Sequence, residues 1–433
     1  LFSIRNFALM LSTIPTIADA QILDAADPLS CFREKFLIPQ HKGKDTMYFT
    51  GNSLGLQPRS AAEALKTELD DWAEHGVEGH FRARHPWMHY HELFSKSLAS
   101  LAGALPSEVV AMNALTVNLH LLLVSFYKPE GTRTKIICEA KSFPSDRYAL
   151  VSQINFHNLD PDENLIELSP RDGEHCLRVE DIEKAILDAG DSLATVMIGG
   201  GNYYTGQLHH LHKITLAAHS VGAMCGFDLA HGMGNVPFEL HNWDVDFACW
   251  CSYKYLNSGP GAVSGIFVHE RHHNSDIPRF EGWWGHDKST RFKMSPNYIS
   301  MGTVESWQLS NAPVLNMAVH KASLEIFEEA GGIHALRERS LRLTAYLEKT
   351  IQAIASTTGV NLEIITPSNT DERGCQLSIV AHGQGRDLHN KLSAAGVVVD
   401  WREPDVIRMA PVPLYNSFED IASFGHILAE SLS

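Results

Sequence analysis

Three features that would assign a protein to a simple class are missing from this sequence: a long apolar segment, a run of basic residues and a paired cysteine pattern. A membrane-spanning helix needs about 18 or more consecutive apolar residues, and no convincing segment reaches that length, so we expect no membrane contact. Acidic residues outnumber basic ones by 51 to 35, which gives a formal net charge of −16. That charge repels phosphate groups, so we also expect no nucleic-acid partner.

Cysteine is scarce and scattered along the chain. There are seven cysteines, an odd number, at positions 31, 138, 176, 225, 249, 251 and 375. Several lie in apolar, strand-like segments, where a free cysteine behaves as a small hydrophobic residue. This pattern is typical of a reducing compartment rather than of a disulfide framework, so we predict a cytoplasmic protein.

The first residues imitate a weak signal peptide. Phe7–Leu11 forms a short apolar core, and Ala18-Asp19-Ala20 resembles a cleavage site. The core is interrupted by Ser12, Thr13 and Pro15, so we expect no secretion.

A chain of 433 residues is too long for one hydrophobic core and predicts two domains. We assign residues 1–50 to an N-terminal segment packing on the small domain, 51–305 to a large domain, and 306–433 to a small α+β C-terminal domain. In the large domain, apolar runs alternate with helical ones, which predicts an α/β fold with a mostly parallel sheet covered on both faces. The predicted strands are 134–140, 193–198, 223–227, 247–253 and 262–268, and the crossover helices are 179–189 and 214–221.

An earlier helix is predicted from a capping box at Ser60–Glu63. Its apolar residues Ala61, Leu65, Leu69 and Trp72 recur at helical spacing, so we expect them on one buried face.

Two polar residues follow apolar, strand-like runs: Asp228 after 223–227 and Lys254 after 247–250. Lysine is rarely buried without a partner, and ligands on parallel sheets gather at the carboxyl ends of the strands. Pyridoxal 5'-phosphate requires both groups, the lysine amine for a Schiff base and the carboxylate to keep the pyridine nitrogen protonated. A surface lysine and a helix-capping aspartate are the structural alternatives. The combination favours an enzyme with this cofactor.

Three further segments could complete such a site. Residues 113–118 place Thr116 at the start of an apolar helix, where backbone N–H groups suit a phosphate. Phe143–Asp146 follows a predicted strand and offers an aromatic face for the pyridine ring. His231 lies close to Asp228 and could either contact the cofactor or pack in the core.

Histidine is abundant, and the clusters at 209–212 and 269–273 invite a metal interpretation. Neither has cysteine or carboxylate partners at the spacing of a zinc site. We interpret both as surface histidines and expect no metal.

Six motifs in order make the chain resemble the kynureninase family, with the eukaryotic-type pattern. They are 48–58 (Tyr-Phe-Thr-Gly-Asn-Ser-Leu-Gly-Leu-Gln-Pro), 112–120 (Met-Asn-Ala-Leu-Thr-Val-Asn-Leu-His), 143–146 (Phe-Pro-Ser-Asp), 227–231 (Phe-Asp-Leu-Ala-His), 249–254 (Cys-Trp-Cys-Ser-Tyr-Lys) and 410–416 (Ala-Pro-Val-Pro-Leu-Tyr-Asn). The resemblance extends from Asp27 to the C-terminus. It implies a fold-type-I, aspartate-aminotransferase-like architecture and a homodimer with shared active sites.

The resemblance also implies a hydrolase that acts on a carbon–carbon bond. The expected reaction is pyridoxal-phosphate-dependent hydrolysis of L-kynurenine or 3-hydroxy-L-kynurenine to L-alanine and anthranilate or 3-hydroxyanthranilate. It belongs to tryptophan catabolism toward NAD synthesis.

Site residues follow from the resemblance position by position. The implied catalytic residues are Lys254 for the Schiff base, Asp228 at the pyridinium and Tyr253 as proton donor, although Tyr253 could also only bond the phosphate. The cofactor site would further contain Leu115, Thr116, Phe143, Pro144, Ser145, Asp146, Gly199, His231, Trp283 and Asn311. The substrate would contact Ser53, His80, Asn311 and Arg408, with Arg408 clamping the α-carboxylate.

Two positions bear on how tightly and how selectively the site binds. Animal members carry a serine at the position of Gly199, so a lost hydroxyl could loosen cofactor binding, while backbone N–H groups of Gly199–Gly201 could compensate. His80 and the Ser310-Asn311 pair resemble the pattern associated with 3-hydroxykynurenine.

Two other interpretations remain at this point. A cysteine-desulfurase-like lyase of the same fold type would need a mobile cysteine near the substrate, and Cys375 instead heads a strand-like run. A non-catalytic protein of this fold would have lost the lysine or the aspartate, and both are present.

Overall fold

The computed structural model describes residues 14–432. The apolar segment 7–11 lies outside that range, and Ala18-Asp19-Ala20 lies within a helix, Ile17–Ala25. Thr16 caps this helix, because its side-chain oxygen accepts a hydrogen bond from the Asp19 backbone N–H. None of the helices in this described range is long and apolar enough to cross a membrane.

A seven-stranded sheet forms the centre of the large domain. Its strands are parallel except Gly265–Val268, which runs antiparallel to both neighbours. The predicted α/β architecture is confirmed. In spatial order the strands are Val109–Ala111, Gly265–Val268, Phe247–Trp250, Met224–Asp228, Leu193–Gly199, Lys135–Glu139 and Leu165–Leu168.

Helices cover both faces of this sheet. Alternate strand residues belong to two separate apolar clusters, with Ile137 in one and Ile136 in the other, which is why the strands read as continuous apolar runs. The predicted crossover helices are confirmed as Val179–Ala189 and Leu211–Ser220. The other helices of the large domain are Ala61–His75, Gly79–Arg82, Ser95–Ala102, Leu115–Phe126, Pro144–Phe156 and Pro161–Asn164.

The prediction for the strand 247–253 was wrong at its end, because the strand stops at Trp250. Trp250 is the last residue to pair with the neighbouring strand, opposite Gly265. Beyond it the backbone leaves the sheet, and the Tyr253 carbonyl accepts a hydrogen bond from the Gly55 N–H of the N-terminal part of the chain.

The helix Ala61–His75 is present, but the prediction of its buried face was wrong. The Ser60 side chain makes no capping hydrogen bond, and Leu69 and Trp72 are exposed. The buried face instead carries Glu68 and Asp71, whose carboxylates accept hydrogen bonds from side chains or backbone at Trp87, Tyr90 and Arg84. Partners distant in sequence therefore determine which face is buried.

The small domain contains a four-stranded antiparallel sheet in the order Leu362–Ile364, Leu377–Ala381, Val406–Met409, Asp400–Arg402. A separate apolar cluster fills the space between this sheet and its helices. The helices of this part of the chain are Val314–Glu329, Gly332–Thr358, Gly385–Ala394 and Phe418–Leu432.

The N-terminal segment contacts the small domain. The strand Met47–Tyr48 pairs in parallel with Val397–Val398, and Asp24 accepts hydrogen bonds from the first N–H groups of the helix Phe418–Leu432. The domain boundaries at residues 50 and 305 stay a prediction.

Short elements complete the described chain. Two short strand pairs are Phe36–Leu37 with Gln57–Pro58 and Gln40–His41 with Lys44–Asp45. The 3-10 turns are Ser30–Lys35, Gly76–Glu78, Trp87–Phe94, Pro106–Glu108, Gly190–Ser192, Glu270–His272, Trp283–Gly285, Arg291–Lys293, Val304–Trp307 and Thr370–Glu372.

Candidate active site

The carboxyl ends of neighbouring parallel strands carry the polar residues of the site. Asp228 ends its strand and pairs with Gly199, the last residue of the next strand. The following strand of the sheet ends at Glu139. Because parallel strands end at the same edge, these residues lie where α/β sheets bind ligands.

Lys254 is buried beside this edge. Its Nζ lies 3.0 Å from His231 Nε2, and 5.8 and 5.9 Å from the ring centroids of Phe143 and Tyr253. The lysine is 9% exposed. The structure therefore brings three other predicted site residues around the Lys254 amine.

His231 is held in its neutral form. Burial, followed by the positive charges of Lys254, Arg408 and Arg402, places the pKa of His231 well below its usual range. In the tautomer in which His231 Nε2 accepts a hydrogen bond from the Lys254 amine, the ring proton is on Nδ1. This Nδ1 is buried and has no hydrogen-bond partner in residues 14–432. A buried donor without a partner is a position for a ligand acceptor.

Asp146 and Asp228 form a buried carboxyl pair. Burial and the adjacent Asp228 charge raise the pKa of Asp146 well above its usual range. Asp146 thus keeps the proton of the pair and donates a hydrogen bond to Asp228. Asp228 also accepts a hydrogen bond of 2.7 Å from the Ala230 N–H. A single negative charge remains on Asp228, which suits a cationic partner.

Glu139 is a site residue that the sequence reasoning missed. It is buried, and its Oε2 accepts from Asn202 Nδ2 at 3.0 Å and lies 3.3 Å from His209 Nε2. A Cβ added at Gly199 would lie 3.0 Å from Glu139 Oε1. The glycine therefore leaves room for this carboxylate. The signal was available, because Glu139 ends an apolar strand as Asp228 does.

Tyr253 presents a protonated phenol. Burial raises its pKa, and the nearby Cys251 thiol adds to the effect. The phenol is thus a hydrogen-bond donor at neutral pH, as both predicted roles of Tyr253 require.

The predicted phosphate segment begins a helix. Leu115 and Thr116 are the first residues of Leu115–Phe126, and their free N–H groups and the helix dipole favour an anion. Asn113 immediately before it has a left-handed backbone, with φ of 48°. Pro144, Ser145 and Asp146 likewise form the first turn of Pro144–Phe156, and the Phe143 ring is 44% exposed at its start.

The predicted substrate residues Arg408 and Ser53 contact each other. Arg408 is buried on the strand Val406–Met409 of the small domain, and its Nη2 donates to Ser53 Oγ at 3.3 Å. Its Nη1 donates to the Tyr203 carbonyl of the large domain. The guanidinium of the small domain thus contacts two separate segments of the large domain.

Three predicted site residues contact parts of the described chain other than the Lys254 cluster. Trp283 is exposed and contacts Arg291 and Phe292, while the His80 Nδ1 lies 2.9 Å from the Val77 carbonyl. Asn311 lines a cavity of about 320 Å³ that does not include Lys254. Their placement at the active site stays a prediction.

The interpretation of the histidine clusters as surface residues was wrong for four of the six histidines, and it holds for His212, which is exposed. His209, His269, His272 and His273 are buried, and the first three lie within ion-pair distance of carboxylates. Glu108, His241 and His269 bring their side-chain donor atoms within 4.8 Å of one another. In that group Glu108 Oε1 already accepts the Glu270 N–H, and His269 Nδ1 accepts the Arg271 N–H.

Solved structures share this fold across nearly the whole chain. A mutant of the protein C-DES with glycine covalently linked to its pyridoxal phosphate superposes with a TM-score of 0.75 at 15% identity, covering 90% of this chain and 96% of that one. A cysteine desulfurase from Thermococcus onnurineus NA1 gives 0.74 at 17% identity, covering 89% and 94%. These likenesses show the fold-type-I architecture that the resemblance implied, with Lys254 buried at the edge of its sheet.

Sequence comparison narrows this class. Residues 336–428 match the family model described as "Kynureninase C-terminal domain". Kynureninases from Flavobacterium psychrophilum and Myxococcus xanthus are each 53% identical, covering 96% and 94% of this chain and 98% and 95% of those proteins. The kynureninase from Salinispora tropica is 50% identical over 95% of this chain and 96% of its own length. The chain belongs to the kynureninase family.

Proposed function

We propose that this protein hydrolyses L-kynurenine or 3-hydroxy-L-kynurenine to L-alanine and anthranilate or 3-hydroxyanthranilate, in tryptophan catabolism toward NAD synthesis. One observation carries the proposal. In a chain that belongs to the kynureninase family, Lys254, His231 and the Asp146–Asp228 pair converge at the carboxyl edge of the sheet.

The residues fit pyridoxal 5'-phosphate. The buried His231 Nδ1 lacks a partner among the described residues, the buried Asp228 carboxylate suits a cationic pyridine nitrogen, and a helix N-terminus is available for the phosphate. The cofactor, when bound, withdraws electrons from the carbon next to the substrate amine. The residues that would hold it are Leu115, Thr116, Phe143, Pro144, Ser145, Asp146, Gly199, Asp228, His231, Tyr253, Lys254, Trp283 and Asn311.

Each polar group would then have a distinct task. Lys254 Nζ moves the proton from the substrate Cα, and neutral His231 orients that amine without adding a second charge. Asp228 holds the negative charge opposite the pyridine nitrogen, because Asp146 retains the shared proton. Water supplies the hydroxyl to the γ-carbonyl carbon and the Cβ–Cγ bond breaks. Tyr253 donates its phenolic proton to Cβ, which stays in the alanine product, or donates a hydrogen bond to the phosphate, and the two roles are compatible.

Substrate binding is assigned to Ser53, His80, Asn311 and Arg408. Arg408 binds the α-carboxylate, since a buried guanidinium with a free Nε donor favours a planar carboxylate. His80 and Asn311 would face the aromatic ring and favour its 3-hydroxy form.

These assignments imply a homodimer with shared sites. Trp283 and Asn311 contact no residue of the Lys254 cluster in the described part of one chain, so we assign them to the site of a second subunit. Large apolar side chains near Trp283 and His80 are exposed, as is typical of an interface. They are Phe280, Phe292 and Met294, and Trp72, Val77 and Phe81.

A cytoplasmic location is proposed on chemical grounds. All seven cysteines are free, and five of them are buried. Unpaired cysteines suit a reducing compartment, and cell fractionation with an activity assay would test this.

A desulfurase-like reaction is not favoured. Cys375 is buried, its backbone N–H donates to Asn235 Oδ1, and burial raises the pKa of its thiol to about 12. A buried, protonated thiol is a poor nucleophile. A non-catalytic role is equally disfavoured, because the lysine and both aspartates are present.

The decisive experiment is steady-state turnover of L-kynurenine and 3-hydroxy-L-kynurenine, side by side, with added pyridoxal phosphate. Lys254→Ala should abolish turnover, while Lys213→Ala, at an exposed helical lysine, should not. The ratio of kcat/KM values identifies the preferred substrate. A wild-type enzyme that binds the cofactor but turns over neither compound would contradict the assignment.

A further inference from the structure

Arg408 shares one face of the small-domain sheet with an aspartate and a second arginine. Asp400 lies directly opposite Arg408 on the neighbouring strand. Arg402 follows Asp400 on the same strand at the alternate position, and alternate residues point to the same face. The strand register thus places one carboxylate next to two guanidinium groups.

The Asp400 carboxylate bonds each arginine with a different oxygen. Its Oδ1 lies 3.0 Å from Arg402 Nη1, and its Oδ2 accepts a hydrogen bond from Arg408 Nη2. Ser53 Oγ donates to the same Oδ2. A carboxylate of the protein itself therefore occupies the guanidinium that would bind the substrate.

The remaining donors of Arg408 show what a substrate would require. The side chain is 1% exposed, and its Nε is buried without a hydrogen-bond partner in the described chain. A bidentate bond to a carboxylate uses two parallel N–H groups, and Nε is parallel to one N–H of Nη2. Because Asp400 Oδ2 and Ser53 Oγ both accept from Nη2, a bidentate bond to the substrate competes with Asp400 for this nitrogen and favours its release.

Arg402 is placed to receive Asp400 when that happens. It already bonds the other carboxylate oxygen, and its side chain is 36% exposed against 1% for Arg408, so it can move. Two arginines and one aspartate carry one net positive charge, which an arriving carboxylate neutralises. The number of arginine–carboxylate pairs is the same before and after the exchange.

We propose that Asp400 occupies Arg408 in the free enzyme and transfers to Arg402 when the substrate α-carboxylate binds. Asp400 and Arg402 thereby set the affinity of the site for α-carboxylates. The inference rests on the proposed function, because it takes Arg408 as the group that binds the substrate.

The first test replaces the internal competitor by a neutral group of the same shape. The probe is L-alanine, and its Kd for the pyridoxal-phosphate-loaded enzyme is read from the change in cofactor absorbance. In Asp400→Asn we expect this Kd to fall about tenfold, which corresponds to ~1.4 kcal/mol. The KM for L-kynurenine should fall in the same direction. The Kd of ethylamine, which lacks the carboxylate, should not change.

The second test removes the receiving group. In Arg402→Gln, Asp400 has no second partner and stays on Arg408, so the Kd of L-alanine should rise several-fold. In the Asp400→Asn background the same change should have no such effect, because no carboxylate is left to transfer. Glu403→Gln and Arg386→Gln remove the same charges from an exposed ion pair of the same domain and should leave the Kd unchanged.

The outcomes separate this inference from the proposed function. If Asp400 only orients Arg408, the Kd of L-alanine will rise in Asp400→Asn and stay unchanged in Arg402→Gln. Either of these two results overturns the exchange. A wild-type enzyme that neither binds L-alanine nor turns over a kynurenine overturns both proposals. Turnover by the wild type with unchanged binding in both variants overturns the exchange alone.

Discussion

At the scale of single residues, a buried histidine supports the segment that carries Lys254. His320 is fully buried, its Nδ1 lies 2.6 Å from Ser258 Oγ, and its ring stacks on Phe94. Its Nε2 has no hydrogen-bond partner within residues 14–432. Burial lowers the pKa of His320 to about 3, so the ring stays neutral through the physiological range.

This pKa predicts a loss of stability in acid. The unfolded chain protonates His320 near pH 6.5, whereas the folded protein takes no proton there until about pH 3, so acid favours the unfolded state. The stability from neutral His320 is fully present above about pH 6.5 and decreases as the pH falls, by up to ~1.4 kcal/mol per pH unit.

His320→Gln keeps a partner for Ser258 and removes the titration. Between neutral and mildly acidic pH, we expect the free energy of unfolding of this variant to fall by about 1 kcal/mol less than that of the wild type. Its Tm should accordingly fall less over the same pH range. Thermal melts of both proteins across that range check this, with the exposed His212→Gln as control. Equal acid sensitivity of wild type and His320→Gln would show that another group dominates.

Gly199 and the Glu139 side chain lie so close that a side chain at position 199 would contact the Glu139 carboxylate. A methyl group at position 199 would press on the Glu139 carboxylate, which Asn202 and His209 hold in place. We therefore expect Gly199→Ala to weaken pyridoxal phosphate binding about tenfold, or ~1.4 kcal/mol, measured by titration of the apoenzyme. The shorter Glu139→Asp should relieve the contact, so the penalty of Gly199→Ala should shrink in that background. A penalty of equal size in both backgrounds would exclude the coupling.

At the scale of elements, the N-terminal loop 51–55 fixes the turn that carries Lys254. The Gly55 N–H donates to the Tyr253 carbonyl, and a Cβ at Gly55 would lie 2.4 Å from the Lys254 carbonyl oxygen. Side chains cannot approach that closely, so Gly55→Ala must displace the turn. We expect kcat to fall at least about tenfold and stability to fall by about 1–3 kcal/mol.

Steady-state kinetics and thermal melts of Gly55→Ala test this against a matched glycine. Gly43 has φ of 78° and no atom within 4 Å of an added Cβ. Gly43→Ala should therefore lose about 1 kcal/mol through backbone strain and keep its kcat. Unchanged kcat in Gly55→Ala would mean that the loop does not position the lysine.

Elements whose own side chains decide their structure could be predicted from the sequence. The strands that end at Asp228 and Glu139 are buried on both faces, so continuous apolar runs identify them. The helix Ala61–His75 was found, but its buried face depends on Trp87 and Tyr90, which only the folded chain brings near.

The same distinction applies to the site. Asp228 and Lys254 were recognised because each polar residue follows an apolar run. Glu139 gives the same signal but lies outside the motifs, and its role depends on Asn202 and His209. Asp400 could not be recognised, because its contact with Arg408 depends on strand register, which no local pattern specifies.

At the scale of the whole molecule, the proposed site combines both domains. The large domain supplies Lys254, Asp228 and Ser53, and the small domain supplies Arg408. Contacts of Arg408 with the Tyr203 carbonyl and with Ser53 connect the two. A movement of the small domain would therefore change the position of the carboxylate clamp relative to the lysine.

The proposed homodimer with shared sites predicts complementation between inactive variants. Lys254→Ala and Trp283→Ala should each be inactive, since the first lacks the amine and the second lacks a ring that we assign to the neighbouring subunit's cofactor. In a mixed dimer, one site combines the intact Lys254 of one chain with the intact Trp283 of the other, and the second site lacks both. Random exchange makes half of the dimers mixed, so activity should recover to about one quarter of the wild-type value. Lys254→Ala mixed with Asp228→Ala is the control, because both groups come from the same chain and no intact site can form. Recovery in the control, or none with Trp283→Ala, would place Trp283 in the site of its own subunit.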